Sequence, residues 1–348
     1  MFAPLRPTLI AVSAAICVAT APGLVFAQSA RPAPAQASIN DRMTGDLTPA
    51  HDPTAIKQGD TYYVFTTSQV RDGNGLIHIR SSKDLVTWTR EPSVFAEIPA
   101  WAKKAIKGTV GIWAPDVSFS NGRYRVYYSV STFGSNRSAI GLATTASLNP
   151  KDPNYGWRDE GEIFSSTRAD DYNAIDANAF VDREGRHWLS FGSFWTGLKM
   201  FRLDPATGKR SAEDRKIYSL ARRPTPGAIE APYIIDRNGY YYLFASNDSC
   251  CRGANSTYYT VVGRSKDVTG PYLDYDGKPM MDGYGQVVLH ANLDKTKRWR
   301  GPGHVSILRD GRQDYIFYHA YDARKGGVPT LRVAPLGWTA DGWPVAKQ

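Results

Sequence analysis

The strongest constraint on this chain is a unit that it repeats five times. Each unit opens on an acid or a histidine, continues as a short apolar strand, and meets a glycine turn. Aromatic-rich strands follow. The leading residues are Asp52, Asp116, Asp176, Glu230 and His304. The first aromatic strands behind them are Tyr62-Tyr63-Val64-Phe65, Tyr124-Arg125-Val126-Tyr127-Tyr128, Trp188-Leu189-Ser190-Phe191, Tyr240-Tyr241-Tyr242-Leu243-Phe244 and Tyr315-Ile316-Phe317-Tyr318. The leaders recur about every 60 residues with room for about four strands each, which is the period of a propeller blade. The expected class is therefore all-β, a five-bladed β-propeller. A solenoid has a shorter repeat, and a sandwich needs no five equivalent units. In a propeller the innermost strands line a central channel, so leaders far apart in sequence converge at one mouth.

No long Gly/Pro/Ser linker interrupts the chain after residue 48, so one propeller domain is expected over 46–348. Ahead of it, residues 1–27 read as a cleavable signal peptide. Arg6 supplies the charged start, Leu9 to Val18 the apolar run, and Val25-Phe26-Ala27 the cleavage site. The apolar run is short for a membrane span. Export to the periplasm or the outside of the cell follows, with no membrane anchor. Residues 28–45, rich in Ala, Pro and Gln, read as a flexible leader.

Removal of the signal peptide leaves Cys250 and Cys251 side by side. They are either a vicinal disulfide of an oxidising compartment or a pair of small buried thiols. The net charge of +9 is scattered without a basic run, which describes a solvated surface and not a nucleic-acid stripe. A monomer is expected.

Glu230 lies in Gly227-Ala228-Ile229-Glu230-Ala231-Pro232-Tyr233, an apolar stretch. A carboxyl there finds a partner, takes up a proton or does chemistry. Apolar neighbours raise its pKa, which suits a general acid. Asp52, between His51 and Pro53, has a more polar setting that suits a base which stays ionised. Asp176 is a third carboxylate whose charge would raise Glu230 further. Such a pair in opposite protonation states is what hydrolysis of a glycosidic bond with inversion requires. An acid ahead of a short strand also caps turns, and Asp116 is read as structural for that reason.

His-Asp-Pro at 51–53, Trp-Ala-Pro-Asp at 113–116, Ala-Ile-Asp-Ala-Asn at 174–178, Ile-Glu-Ala-Pro-Tyr at 229–233 and Gly-Pro-Gly-His at 301–304 together resemble family 43 glycoside hydrolases. Within that family they are most similar to arabinanases that cleave α-1,5-linked L-arabinan. The resemblance implies a five-bladed propeller and an inverting mechanism. Asp52 would be the general base, Glu230 the general acid, and Asp176 the residue that tunes and orients the acid. It implies arabinan or arabino-oligosaccharides as the partner, and a calcium ion held in the channel mostly through water, with His304 reaching it. A histidine hydrogen-bonded among core polar groups is the alternative for His304, since calcium prefers oxygen ligands. His319 is expected to pack in blade five.

By position in the family, Trp113, Phe133 and Phe194 would line the cleft, and His51, Asn173 and Ser193 would meet sugar hydroxyls. Blade-core packing is the alternative for the aromatics. Arg332 is a further candidate from blade five. The segment 250–258 resembles a loop of endo-acting arabinanases, which favours cleavage of internal bonds. Exo action on the same scaffold and a catalytically silent sugar-binding propeller are the alternatives.

Overall fold

Five separate sheets account for the strands of the described residues, and the first strands of those sheets touch one another in a closed ring. The structure is a computed structural model that describes residues 1–2 and 38–347; the expected signal peptide, apart from Met1 and Phe2, lies outside them. Blade one starts from Thr54–Gln58, blade two from Gly111–Ser120, blade three from Asn178–Val181, blade four from Ile229–Arg237 and blade five from Trp299–Asp310. Each then adds antiparallel strands outward, through Thr61–Thr66, Arg123–Val130, His187–Phe191, Tyr240–Asn247 and Gln313–Asp322. The expected five-bladed β-propeller is thus observed, and the described helices are short.

The near-continuous apolar character of the strands has a simple cause. A blade is covered by a neighbour on each face, so both faces of its sheet are buried. Five apolar clusters result, each shared by two adjacent blades. Phe164 of blade two meets Phe191 and Phe201 of blade three with ring centres 5.0 and 4.7 Å apart. The ring closes between blades five and one, where Trp88 packs edge-on against Phe317.

That closure is reinforced by residues expected to be loose. Of the stretch 28–45 read as a flexible leader, residues 38–45 are ordered against the propeller. Thr44–Gly45 pairs in parallel with Thr87–Glu91 on the outer edge of blade one. Asn40, buried, accepts the Val333 N–H at 2.8 Å and donates to the Tyr318 hydroxyl at 3.2 Å, both in blade five. The Pro- and Gln-rich composition hid this because two backbone-satisfying contacts, and no periodic pattern, hold the strap in place.

Each inner strand enters through one residue in the left-handed region: Asp52, Ala114, Asp176, Ala231 and His304, with φ of 53, 44, 58, 56 and 49°. The N–H of each donates to a side chain of the preceding blade. Asp52 uses His319 Nδ1 (3.1 Å), Ala114 uses Thr67 (2.7 Å), Asp176 uses Ser129 (3.0 Å), and His304 uses Ser246 (2.9 Å). For Ala231 the acceptor is the Asp176 carboxylate itself, at 3.2 Å. The uncommon backbone conformation is thereby held by a contact from the preceding blade.

Superimposing the units on this residue corrects the reading of five equivalent leaders. Glu230 stands one position before it, level with His51 and Trp113. Asp116 stands two positions after it, level with Thr54, Asn178, Tyr233 and Ser306. Those five make a second layer that ties the blades together. Asp116 accepts from Thr54 (3.3 Å), from the Asn178 amide (3.2 Å) and from Ala179 N–H (2.8 Å). Asn178 in turn accepts Ile234 N–H at 2.9 Å, and Ser306 donates to Pro53 O at 3.0 Å.

Candidate active site

The strand register places the rim. Asn178 pairs with Ser190, Ile229 with Asn247, and Trp113 with Ser129. The loops after the second strands, 67–77, 131–137, 192–197 and 248–258, therefore stand at the mouth where the left-handed residues enter. Asp52, Asp176, Glu230 and His304 gather beneath them.

Asp52 is 8% exposed. Its Oδ1 faces His51 Nδ1 at 2.8 Å and His304 Nδ1 at 3.1 Å, and its Oδ2 accepts from the Thr67 hydroxyl. Burial alone would raise this carboxyl, but His51 and His304 outweigh it and hold it well below the usual range. An ionised carboxylate only accepts, so both imidazoles present an N–H to it. Each carboxylate oxygen has two acceptor sites, and Oδ2 keeps one for a water.

Asp176 and Glu230 behave in the opposite sense. Burial pushes Asp176 well above the usual range, with Glu230 and Asp52 adding to the rise against His304. Burial also raises Glu230, against the hydrogen bond that Ser193 donates to its Oε2 at 2.6 Å. The Tyr258 hydroxyl faces the same carboxyl without a close hydrogen bond. Both shifts run toward the protonated form, and two buried carboxyls in one site favour one shared proton over two charges. His304 is itself lowered by burial, but Asp52 leads the carboxylates that bring it up to about 9, so it carries positive charge among them.

The remaining expected residues divide. Ser193 reaches Glu230, and the Phe194 N–H bonds to Ile229 O at 2.9 Å, which fixes the 192–197 loop beside the acid. Phe133 and Phe194 are exposed at the rim, at 83% and 37%. Trp113 is half-buried next to Ala114. His51 has both ring nitrogens engaged: Nδ1 meets Asp52, and Nε2 meets the Tyr321 hydroxyl at 2.6 Å. Asn173 is buried and accepts from Ser138 at 2.7 Å. Arg332 turns elsewhere, stacking on Trp299 at 3.8 Å and donating to Asn40 O. His319 is buried in blade five as expected, its ring stacked on His51 at 3.8 Å. Burial and the neighbouring His51 hold its pKa well below the usual range, so it is neutral. Cys250 and Cys251 are joined as a disulfide.

Sequence reading missed Thr67, Tyr258, Tyr321 and Trp195. Trp195, 42% exposed, follows Phe194 on the same loop. The prolines at 53, 115 and 232, each one place after a left-handed residue, are the signal that aligns the blades and shows that Glu230 is displaced by one.

A propeller whose channel mouth holds one carboxylate favoured in its ionised form and two buried carboxyls pushed toward the protonated form has the make-up of an acid–base glycoside hydrolase. The chain belongs to glycosyl hydrolases family 43, whose model matches residues 48–344. It is 42% identical over 328 residues to the extracellular endo-α-(1→5)-L-arabinanase 1 of Bacillus subtilis, covering 94% of each chain. It is 43% identical over 307 residues to an extracellular exo-α-(1→5)-L-arabinofuranosidase of Cellvibrio japonicus, covering 84% of this chain and 85% of that one. Among solved structures, the Cellvibrio cellulosa α-L-arabinanase complexed with arabinohexaose superimposes with a TM-score of 0.80 at 40% identity, over 86% of this chain and 96% of that one.

Proposed function

We propose that this enzyme hydrolyses internal α-1,5-L-arabinofuranosidic bonds of arabinan with inversion, after export from the cell. What supports the reading is the arrangement at one mouth of the channel: Asp52 between His51 and His304, which favour its ionised form, and the buried carboxyls Asp176 and Glu230, which burial shifts toward the protonated form. Asp52 takes a proton from a water bound at Oδ2 as that water attacks the anomeric carbon. Glu230 gives its proton to the departing glycosidic oxygen. Asp176, anchored by Ala231 N–H in the residue next to Glu230, keeps the acid protonated and orients it. Ser193 holds the Glu230 rotamer. Phe133, Phe194 and Trp195 offer apolar faces to furanose rings.

A calcium ion belongs to the same proposal. Among the described residues, no group of three ligating side chains includes His304, so a cation there would have one protein ligand and otherwise water. His304 Nδ1 is engaged by Asp52, so Nε2 would be that ligand, and binding of the ion would displace the proton that His304 otherwise carries there. The ion would supply positive charge to a channel lined by Asp52, Asp116, Asp176 and Glu230. Export is supported by the paired cysteines, which suit an oxidising compartment, and by relatives named as extracellular. The enzyme acts as a monomer in this reading.

Linear arabinan digested with wild type, Glu230→Gln and Asp52→Asn tests the function. Mixed oligosaccharides in the first minutes mean internal cleavage, while a single small product means the exo mode of the Cellvibrio japonicus relative. Each variant should lose about 10²–10⁴-fold in turnover while melting as wild type does. Turnover near wild type in either one sinks the assigned roles.

A further inference from the structure

We propose that Tyr321 is a positioning residue, and that its hydroxyl, aimed by the Cys250–Cys251 turn, fixes the ring of His51 so that its Nδ1–H is presented to Asp52. The inference rests on Asp52 being the base.

Three contacts run in one direction. The Cys251 N–H donates to the Tyr321 hydroxyl oxygen at 2.7 Å. That N–H fills one acceptor site of the phenol oxygen, and the phenol's own proton is placed to go to His51 Nε2, at 2.6 Å. A nitrogen that accepts carries no hydrogen, which places the imidazole proton on Nδ1. Nδ1–H then meets Asp52 Oδ1 at 2.8 Å. The opposite tautomer would set an N–H against the phenol proton and a lone pair against a carboxylate. The ring has no other freedom, because its face is stacked on His319 at 3.8 Å and 23°.

Both ends of this chain are built in. Tyr321 is 2% exposed, and its ring lies over Gly301, where a Cβ would come within 3.0 Å of Cδ2 and within 2.7 Å of Ser256 Cβ. The Gly301-Pro302-Gly303-His304 motif thus makes room for Tyr321 at one glycine. It makes room for Tyr258 at the other, where a Cβ would fall 2.4 Å from Cδ1. At the far end, Cys251 has φ of 68°, a conformation unfavourable for a side-chain-bearing residue. Its covalent tie to Cys250 closes a turn between adjacent residues, and that turn points the 251 N–H inward at Tyr321. The vicinal disulfide thereby acts, through Tyr321 and His51, on the orientation of the base.

The test compares Tyr321→Phe, Cys250→Ser/Cys251→Ser and Asp52→Asn with wild type on linear arabinan. It adds ¹⁵N spectra of histidine-labelled protein, with the His51 signals assigned by their loss in His51→Gln. Wild type should show His51 protonated at Nδ1. Tyr321→Phe should melt as wild type does, lose that pattern, and fall about tenfold in kcat with KM within about twofold, as for other groups that act through a neighbour. The double serine variant keeps the backbone N–H in a looser turn and should shift both readouts the same way by less. Wild-type kcat or an unchanged His51 tautomer in Tyr321→Phe overturns the proposal. If that variant does not fold, native values for both readouts in the double serine variant overturn it. An active Asp52→Asn means that the base assignment has failed; an inactive one beside a native Tyr321→Phe means that only the positioning role has.

Discussion

Asp116→Asn isolates a cost that the propeller carries at its axis. Asp116 is 3% exposed, and burial raises it to about 7 from 3.8, even against the hydrogen bonds from Ala179, Asn178 and Thr54. A carboxyl whose folded pKa lies above its unfolded value favours the native state most fully below 3.8. That stabilisation is lost as pH rises through about 7. Between those limits the native state holds one proton that the unfolded chain has released, which gives a slope of about −1.4 kcal/mol per pH unit. Over the window the loss is on the order of 4 kcal/mol. Asparagine does not titrate, so the variant lacks this component. It keeps an acceptor for Thr54 and Asn178, but its amide NH₂ faces Ala179 N–H, a mismatch of about 1–3 kcal/mol at every pH. Asp116→Asn should therefore be the less stable protein near pH 4 and the equal or more stable one near pH 8. Urea unfolding at half-unit pH steps measures both curves. Asp176 and Glu230 tilt the two curves alike and drop out of the difference. Parallel curves would refute the reasoning, because they would mean that Asp116 stays ionised among its donors.

Two further outcomes follow from the charges at the mouth. The pH profile of kcat/KM should be a bell whose acid limb, from Asp52, lies below the usual carboxylate range and whose alkaline limb, from the Asp176–Glu230 proton, lies above it; an alkaline limb at the pKa of a free glutamate would contradict the shared proton. Chelation with metal loss confirmed by elemental analysis should lower the melting temperature or the rate, and His304→Gln should be insensitive to the same treatment. Wild type that loses its metal with neither quantity changed would remove the ion from the reading.

Much of this site could be read from the order of residues, and the exceptions share a cause. The blade period, the leading acids and their unequal surroundings are all local patterns. Glu230 among Ile229, Ala231 and Pro232 already announces a carboxyl that resists ionisation, and the buried site bears that direction out. The partners of Asp52 are not local. Thr67 comes from the loop after the second strand of blade one, His304 and His319 from blade five, and each owes its place to the closure of the ring. His51 shows the limit most clearly. Its neighbour in sequence marks it as part of the site, but its contacts with Tyr321 on one side and Asp52 on the other come from the closure of the ring and from the turn at the strand entrance.

By itself the sequence determined that the chain is a five-unit propeller with three carboxyls and a histidine at the strand entrances, because periodic burial and chemical type are written residue by residue. Only the tertiary structure decided which entrances are equivalent. The left-handed residue falls on Asp52, Asp176 and His304 but on Ala114 and Ala231 in the other two blades. That offset sends Asp116 down into the blade-tying layer and leaves Glu230 one residue before Ala231, whose N–H is held by Asp176. The physical reason is that a backbone N–H in that conformation must find an acceptor on the preceding blade. Which side chain supplies it is settled by packing between blades and not by the spacing within one.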